Sequence, residues 1–273
     1  MTLPTTETLL LEQKDHALHI TINRPKVRNA MSLQMVHELI AVFDSIKDDR
    51  TVRAVVLRGA GGHFCAGGDI KDMAGARAAA SKADENSDPF YTLNREFGRM
   101  ITQVNAAPQV VVAVVEGAVL GGGFGLACVS DVAIAAESAK FGLPETGLGI
   151  PPAQIAPFVV NRIGLTQARR LALLGARFDG TEAARLGIVH TVCSEESIEQ
   201  ELEDVLSQVK RCAPEANIIT KALILSVGDH ELDTVLDRAA KSFSTCVQGK
   251  EGQEGTMAFI QKRRPSWAED CKE

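Results

Sequence analysis

The amino-acid sequence predicts an α/β fold for this chain of 273 residues. Strand–turn–helix units recur along it, which is the pattern of an α/β core. Val110–Val115 is the strongest predicted strand, because a continuous and mostly β-branched run is typical of a strand buried on both faces. From about Glu195 onward the apolar spacing is helical only, so a helical region is expected to follow the core.

The first predicted elements are a hairpin, a helix and a strand. Leu9–Leu11 and Leu18–Ile22 are short apolar runs on either side of a turn, which predicts two paired strands. Ser32 is a suitable N-cap, and the residues after it are apolar at helical spacing: Met35, Val36, Leu39, Ile40 and Phe43. Ala54–Leu57 then predicts a short buried strand.

Two glycine-rich turns and a polar segment come next. Gly61–Gly68 is the first turn, and Gly121–Gly123 is the second, which opens a short apolar helix after Val110–Val115. Residues 74–89 are small and polar with charges of both signs, which predicts a mobile surface segment, a candidate lid over a site. Asp131–Ala135 predicts the return to a strand.

The C-terminal part is predicted to be helical and amphipathic. One apolar face comprises Ile198, Leu202, Val205, Leu206 and Val209, and a second comprises Leu232, Val235 and Leu236. Such faces pack on a core or on a neighbouring subunit. We therefore expect two regions, a core of residues 1–195 and a helical region of residues 196–273.

Composition excludes several classes of partner. Lys and Arg total 29 against 35 Asp and Glu, a net charge of −6, which disfavours binding to nucleic acids or anionic membranes. No two of the six cysteines form a C-x-x-C pair, and no Cys/His cluster has zinc spacing, so reduced thiols and no bound metal are expected. The N-terminus lacks the pattern of a signal peptide, and we expect a cytoplasmic protein without membrane contact.

Most common catalytic motifs are missing, including G-x-S-x-G, the phosphate loop and H-E-x-x-H. Gly123–Cys128 is near the dinucleotide fingerprint G-x-G-x-x-G, but Cys128 replaces the third glycine. His63 lies beside the first glycine-rich turn and is interpreted as a loop residue, because no partner is near it in sequence. A direct catalytic role for His63 is the less favoured alternative.

The two glycine-rich turns together suggest an oxyanion hole. Glycine allows backbone N–H groups to approach a ligand closely, and a helix N-terminus adds unpaired N–H groups. Two such turns side by side would direct two donors at one oxygen. The alternative is that both are only tight turns that pack a helix against a strand.

Several motifs in order and at the right spacing make the sequence resemble the crotonase, or enoyl-CoA hydratase/isomerase, superfamily. The resemblance runs from the hairpin to the C-terminus. Its motifs are Asn23-Arg24-Pro25-Lys26, Arg28-Asn29-Ala30, Phe64-Cys65-Ala66-Gly67-Gly68-Asp69-Ile70-Lys71, Gly117-Ala118, Gly121-Gly122-Gly123, Asp131, Phe141-Gly142-Leu143-Pro144-Glu145 and Ala258-Phe259-Ile260-Gln261-Lys262-Arg263.

The resemblance implies a ClpP-like spiral of ββα units with a C-terminal helical region that forms a homotrimer or a dimer of trimers. It implies an acyl-CoA thioester as substrate and no permanently bound cofactor, coenzyme A being part of the substrate. By position, the backbone N–H groups of Ala66 and Gly122 would form the oxyanion hole and stabilise an enolate.

Glu145 matches one of the two glutamates that common hydratases of the family use, and Gly125 stands where the other would be. The resemblance therefore implies that Glu145 is catalytic, whereas a turn or ion-pair role is the alternative. Family isomerases that move a double bond from position 3 to position 2 also use one glutamate. Some hydratases lack the first glutamate as well, so both reactions stay open, as does a non-catalytic acyl-CoA-binding protein.

Residues 147–157 resemble a particular branch of the family. Together with Gly-Gly-Gly-Phe-Gly, this stretch is similar to hydratases of isohexenylglutaconyl-CoA in acyclic-terpene catabolism, whose chemistry also serves 3-methylglutaconyl-CoA in leucine breakdown. The resemblance thus implies a lyase that adds water across the 2,3 double bond of a branched enoyl-CoA. The second acid or base would be another residue, a water or the distal carboxylate of the substrate.

Binding of the CoA moiety needs cations for phosphates and a slot for adenine. The resemblance implies Lys26 and Arg28 as candidates for the phosphates. The remaining residues expected to bind substrate or CoA are Ala66, Gly68, Asp69, Ile70 and Gly121, with Phe259 and Lys262 reaching CoA on a neighbouring subunit. For Lys262 the alternative is a solvated helix end that complements the helix dipole.

Overall fold

The computed structural model describes residues 2–82 and 87–269, and their secondary structure is the predicted mixture of helices and strands. The strands are β1 (Leu9–Lys14), β2 (Ala17–Ile22), β3 (Ala54–Gly59), β4 (Val110–Val115), β5 (Ala118–Leu120), β6 (Val132–Ala136), β7 (Lys140–Gly142), β8 (Arg177–Asp179) and β9 (Thr191–Cys193). The helices are α1 (Leu33–Ile46), α2 (Ile70–Ala80), α3 (Pro89–Asn105), α4 (Gly122–Val129), α5 (Ala156–Leu174), α6 (Gly180–Arg185), α7 (Ile198–Arg211), α8 (Pro214–Leu225), α9 (Leu232–Gln248) and α10 (Lys250–Ile260).

A six-stranded sheet with the order β1-β2-β3-β4-β6-β9 forms the centre of the core. The predicted hairpin is present, since β1 and β2 pair antiparallel, and each later strand joins in parallel. Strand β4 lies between β3 and β6, and from Val111 to Val115 it is buried. The continuous β-branched run thus predicted its central place correctly, because an inner parallel strand is covered on both faces.

A second sheet of three strands, β5-β7-β8, carries the second glycine-rich turn at its edge. Phe141 of β7 stacks on Phe178 of β8 with ring centroids 5.8 Å apart. Phe124 of α4 meets Phe141 edge-on at 6.3 Å. These rings fix α4 against the small sheet, and the first turn of α4 therefore has a defined position.

Side chains cap the N-termini of the first three helices. Ser32 caps α1 as predicted, its Oγ accepting the N–H of Met35 at 3.3 Å. Asp69 caps α2 and Asp88 caps α3. Each cap satisfies N–H groups that have no partner within the helix.

The segment 74–89, predicted to be a mobile surface segment, is helical only at its two ends in the part that the structure describes. Helix α2 extends to Ala80 and α3 begins at Pro89, while residues 83–86 lie outside the described part. The prediction missed α2 because its alanines favour a helix even without an apolar face, and Asp69 supplies the cap. The role of the segment as a lid stays a prediction.

After β9, the described chain consists mainly of helices α7–α10 and the short segments between them, as the sequence predicts. Helix α7 buries four residues of the predicted face, Ile198, Leu202, Leu206 and Val209. Helices α8 and α9 have no buried residue and expose large apolar side chains. The division at residue 195 stays a prediction, since α7 packs on β4 and β6 of the core.

None of the described helices is long and apolar enough to cross a lipid bilayer.

Candidate active site

The structure brings the two glycine-rich turns side by side, as the sequence analysis expected. Cys65 joins Val119 in an isolated parallel bridge, with the N–H of Cys65 donating to Ala118 O and the N–H of Leu120 donating to Cys65 O, both at 2.9 Å. Gly67 lies two residues after Cys65, and Gly121 directly follows Leu120. A Cβ built on Gly121 would stand 3.4 Å from the Cα of Gly67, so the two turns are in contact.

Both contacting positions need glycine for conformational reasons as well. Gly67 has φ 100° and Gly121 has φ 51°, values that residues with a side chain rarely adopt. A Cβ on Gly121 would also lie 2.8 Å from Oε1 of Glu145. The absence of side chains here lets the backbone of two segments and one carboxylate converge on a small volume.

The structure corrects the prediction for Ala66. Its N–H donates to Arg28 O at 3.0 Å, so it is not free to bind an oxyanion. Within the part of the chain that the structure describes, the N–H of Gly68 and the N–H of Gly122 donate to no acceptor. The sequence could not show this, because the donor at Ala66 is used by a segment some forty residues away.

Gly122 is the first residue of α4, whose initial N–H groups have no partner within the helix. Gly68 pairs in parallel with Met31, and that pairing uses the N–H of Asp69 and of Met31 but not that of Gly68. The two free donors thus come from the two turns. They lie on segments that touch through Gly67 and Gly121.

The carboxyl group of Glu145 lies at this meeting point. Oε2 is buried and has no hydrogen-bond partner in the described chain, and Oε1 is directed at Gly121. Burial raises the pKa of Glu145 above the ordinary value of a glutamate. A buried carboxyl oxygen without a hydrogen-bond partner lowers the free energy of unfolding. Such groups cluster at functional sites, which supports a catalytic role for Glu145.

The turn that carries Glu145 is held from both sides. Glu145 begins a short 3-10 helix, and its carbonyl oxygen accepts the N–H of Ile150 at 3.1 Å. Thr146 Oγ1 donates to Ala172 O on α5 at 2.8 Å. These bonds fix the backbone and leave the carboxyl group as the part that is free to react.

Gly125, at the position of the missing second glutamate, has no room for a side chain. A Cβ there would stand 2.3 Å from Cγ2 of Ile155 and 2.9 Å from Cδ1 of Ile101. The neighbouring Gly123 is equally enclosed, since its Cβ would lie 2.7 Å from Cys65. Helix α4 therefore uses these glycines for close packing, which argues against the dinucleotide fingerprint.

The residues expected to bind CoA lie in different surroundings. Lys26 and Arg28 are exposed on a 3-10 turn and its end. Asp69 is buried, with one carboxylate oxygen accepting the N–H of Lys71 at 2.9 Å and the other paired with Arg24 at 2.7 Å. Its carboxylate is thus committed to the fold, while its neighbour Ile70 is 79% exposed.

Phe259 and Lys262 lie in the C-terminal helical region. Phe259 is 85% exposed on α10, a helix that packs mainly against α9. Lys262 follows the end of α10 in a left-handed conformation with φ 55°. The contact of these residues with CoA on a neighbouring subunit stays a prediction.

His63 has a structural role, as the favoured interpretation held. Its Nδ1 accepts the N–H of Ala118 at 3.1 Å, which ties the first glycine-rich turn to β5. Asn29 supports the same turn, its side chain donating to Ala60 O at 2.8 Å and to His63 O at 2.6 Å. Within the described residues, no group of three or more His, Cys, Asp or Glu is arranged to hold a metal ion.

Comparison with known proteins decides the family. The family model described as enoyl-CoA hydratase/isomerase matches residues 12–270. The chain belongs to the enoyl-CoA hydratase/isomerase family. The resemblance found in the sequence motifs and the predicted crotonase fold are thereby confirmed.

Relatives with names and structures support this placement over nearly the whole chain. A probable enoyl-CoA hydratase, echA8, of Mycobacterium bovis is 31% identical over 264 residues, 96% of this chain and 98% of its own. A mevalonyl-coenzyme A hydratase, SIDH, of Beauveria bassiana is 32% identical over 259 residues, 92% of this chain and 91% of its own.

Solved structures of the enoyl-CoA hydratase/isomerase family include more similar proteins. Pseudomonas aeruginosa AtuE is 64% identical, and its structure superposes with a TM-score of 0.92. The match covers 96% of this chain and 100% of that of AtuE. An enoyl-CoA hydratase/isomerase from Marinobacter aquaeolei is 61% identical, with a TM-score of 0.91. That match covers 96% of this chain and 99% of the other.

Proposed function

We propose that this member of the enoyl-CoA hydratase/isomerase family adds water across the 2,3 double bond of a branched enoyl-CoA, such as isohexenylglutaconyl-CoA or 3-methylglutaconyl-CoA. The observation that carries the proposal is the half-buried carboxyl group of Glu145, whose Oε2 has no hydrogen-bond partner in the described chain, beside two free backbone donors. Relatives named as hydratases support the reaction, and one of them is named for mevalonyl-CoA, an ester with a branched acyl group.

The free N–H groups of Gly68 and Gly122 form the oxyanion hole in this proposal. The thioester carbonyl oxygen accepts both, and they stabilise the charge that develops on it as the enolate forms. Donors placed where charge develops contribute about 3–4 kcal/mol each to lowering a barrier. Because they are backbone groups, truncating side chains around them leaves them in place.

Glu145 acts as both base and acid. Its carboxylate takes a proton from water while the water oxygen bonds to C3, and the π electrons of the 2,3 bond move to the thioester oxygen. The protonated Glu145 then gives the proton to C2 as the enolate collapses. One carboxyl group suffices because the proton it removes is the proton it returns.

An isomerase that moves a double bond from position 3 to position 2 is the second candidate. The enclosure of Gly125 by Ile155 and Ile101 favours it, because this packing excludes the second carboxyl group of common two-glutamate hydratases. In that reaction Glu145 takes the proton from C2 and returns it at C4, through a dienolate whose charge on the thioester oxygen would be stabilised by the same two N–H groups. A non-catalytic acyl-CoA-binding protein is the third candidate. It is disfavoured because binding alone would not need the unpartnered Oε2 of Glu145, which destabilises the fold.

The CoA moiety is proposed to be part of the substrate, with no further cofactor. Lys26 and Arg28 are exposed cations next to the first glycine-rich turn and suit its phosphates. Phe259 and Lys262 are proposed to complete the CoA site of a neighbouring subunit in a homotrimer or a dimer of trimers. The many exposed apolar side chains of α8–α10 support such an assembly.

A product assay distinguishes the three candidates. The protein is incubated with 3-methylglutaconyl-CoA and, separately, with a 3-enoyl-CoA, and the thioesters are analysed by mass spectrometry and ultraviolet absorbance. A product heavier by one water supports the hydratase, whereas a conjugated product of unchanged mass supports the isomerase. Turnover of neither ester contradicts both enzymatic candidates.

A further inference from the structure

We propose that Arg95, which is held in place by a hydrogen bond to Gln154, binds the distal carboxylate of a dicarboxylic acyl group such as a 3-substituted glutaconyl thioester. This inference rests on the proposed function, since it assigns the residue that selects the substrate class at the same site. Two observations support the inference: the charge of Arg95 and its position on α3.

Helix α3 runs alongside α4 in the same direction. Cε2 of Phe97 would stand 3.1 Å from a Cβ on Gly122, and Cδ1 of Ile101 would stand 2.9 Å from a Cβ on Gly125. Residues that precede Phe97 on α3 therefore lie beyond the N-terminus of α4. The free N–H of Gly122 opens at that same end.

The reach matches the proposed acyl group. The distal carboxyl carbon of an extended glutaconyl group is roughly 5 Å from its thioester carbon, given ordinary carbon–carbon bond lengths. Arg95 lies two residues before Phe97, a rise of about 3 Å along the helix. Its side chain folds back along α3, since Nη1 lies 2.9 Å from the place of a Cβ on Gly98. The guanidinium group therefore lies beside the helical turn that contacts Gly122. A thioester oxygen at Gly122 would leave the distal carboxylate within range of the guanidinium group.

Gln154 holds the guanidinium group in place. Nη1 of Arg95 donates to Oε1 of Gln154 at 2.7 Å, and Nε2 of Gln154 donates to Oδ1 of Asn94 at 2.8 Å. Gly98 makes this possible, because a Cβ there would stand 2.2 Å from the same Oε1. Gln154 also precedes Ile155, so the segment that closes the space at Gly125 positions Arg95.

The charge of Arg95 is not neutralised within the described chain. No carboxylate oxygen of those residues lies within 4.0 Å of it, whereas Arg99, one turn later, pairs with Glu96 at 2.6 Å. Arginine has five N–H donors in a planar fork that suits a carboxylate, and only one of them is used by Gln154. The site thus offers a preorganised cation with donors to spare.

The test uses binding of two saturated esters, which cannot be hydrated. 3-Methylglutaryl-CoA and isovaleryl-CoA differ only in the distal carboxylate, and calorimetry measures the Kd of each. We expect the wild-type protein to bind 3-methylglutaryl-CoA about 10- to 100-fold more tightly, the effect of a charge-assisted hydrogen bond. Arg95→Met should abolish that preference while leaving the Kd of isovaleryl-CoA within about twofold.

Two more variants separate positioning from charge. Arg99→Met, which removes an arginine of the same helix that already has a partner, should leave both Kd values unchanged. Gln154→Met keeps the guanidinium group but frees it, so it should reduce the preference without abolishing it, and Arg95→Lys should retain part of it. Circular dichroism checks that every variant is folded.

Three results would overturn the inference. They are equal Kd values for the two esters in the wild type, an unchanged preference in folded Arg95→Met, and an equal loss for both esters, which would assign Arg95 to the CoA moiety. These results are independent of catalysis. A wild-type protein that prefers 3-methylglutaryl-CoA but hydrates no enoyl-CoA would overturn the proposed reaction and leave the role of Arg95 standing.

Discussion

Glu145 is the residue on which the proposed chemistry depends, and its surroundings predict how activity responds to mutation and pH. Glu145→Gln keeps the shape of the side chain but removes proton transfer, so kcat should fall by about 100- to 10,000-fold, the usual contribution of general acid–base catalysis.

In the wild type, the rate of hydration should decline as the pH falls through the raised pKa of Glu145, because the base must be ionised. Steady-state rates against pH measure both effects, and a fully active Glu145→Gln would contradict the assignment.

The same burial predicts that Glu145 reduces stability. A carboxyl group whose pKa is raised on folding is penalised when ionised, so the penalty is present above the raised pKa and absent below its ordinary value. Glu145→Gln should therefore raise Tm at neutral or higher pH, and the difference should vanish near pH 4 or below. Thermal unfolding at a series of pH values tests this, and a lower Tm for Glu145→Gln at neutral pH would contradict it.

At the residue scale, the sequence predicted the catalytic carboxyl group but only half of the oxyanion hole. The G-x-P-E motif pointed to Glu145, and Gly122 follows from its place at a helix N-terminus. Ala66 was wrong as a donor, because a carbonyl of the 24–31 segment already accepts its N–H. Gly68, expected only to bind the substrate, has the free N–H, and no local pattern reports which donors a distant segment will use.

At the element scale, the packing of α4 against α3 and Ile155 explains the missing second glutamate. Gly125→Glu alone should lower the free energy of unfolding by about 3 kcal/mol or more, because the side chain collides with Ile155 and Ile101 and buries a carboxylate. Ile155→Ala alone should cost about 2–5 kcal/mol through a cavity.

The double variant tests whether these two changes share one space. Gly125→Glu with Ile155→Ala should be more stable than the sum of the single losses predicts, by about 1–3 kcal/mol of coupling. Urea unfolding of the four proteins provides the cycle. Strictly additive losses would show that the two positions do not compete for the same volume.

The cap of α2 ties that helix to the free donor at Gly68. Asp69→Ala removes the cap and leaves the Arg24 guanidinium without its carboxylate, so the free energy of unfolding should fall by about 2–4 kcal/mol. Asp88→Ala, which removes only an exposed cap of α3, is the matched control and should cost about 1 kcal/mol. Equal losses in urea unfolding would show that the ion pair with Arg24 adds nothing.

The pH dependence of Asp69 has the opposite sign to that of Glu145. Burial disfavours its ionised form, but the N–H of Lys71 and the guanidinium of Arg24 outweigh burial and hold the pKa of Asp69 below its ordinary value. Its contribution to stability is present above the ordinary carboxyl pKa and is lost as the pH falls through the lowered one. The difference between wild type and Asp69→Ala should shrink accordingly on acidification.

Most elements were predictable because their signals are local. The β-branched run of β4, the cap of α1 and the apolar face of α7 each identify an element without knowledge of the rest. Helix α2 was missed because it has no apolar face, and its alanines and its cap had to be weighed together. The contact of Gln154 with Gly98 was also invisible in the sequence, since it joins two elements that are distant along the chain.

At the scale of the whole molecule, the C-terminal helices leave a large apolar surface uncovered. Phe243 is 70% exposed on α9 and Ile260 is 72% exposed on α10, with Leu232, Leu236 and Phe259 also exposed. Monomers rarely expose contiguous apolar patches of more than a few hundred Å². We therefore expect an assembly of identical subunits of 29.2 kDa each, and the resemblance in sequence motifs implies three subunits or a multiple of three.

Light scattering after size exclusion measures that assembly. The wild type should elute at the mass of a trimer or hexamer, and Phe243→Glu should shift the mass toward the monomer. Leu10→Glu, which changes an exposed apolar residue on β1, is the matched control and should leave the mass unchanged. A monomeric wild type at micromolar concentration would contradict the expectation.

The acidic composition also fits the whole molecule once the site is known. A net charge of −6 disfavours a polyanionic partner, but a small phosphorylated ligand needs only local cations such as Lys26 and Arg28. The few aromatic residues leave recognition at the glycine-rich turns to backbone N–H groups and apolar walls. Net charge therefore limited the class of partner and said little about the ligand.

Hydration of 3-methylglutaconyl-CoA in isotopically labelled water is the decisive test of the proposed reaction. The wild-type protein should give a product heavier by one water, with the labelled oxygen bonded to the acyl chain, and Glu145→Gln should give almost none. A wild type that leaves this ester unchanged but converts a 3-enoyl-CoA into its conjugated isomer without incorporating label would contradict the proposed hydration. So would a Glu145→Gln protein that hydrates the ester at the wild-type rate.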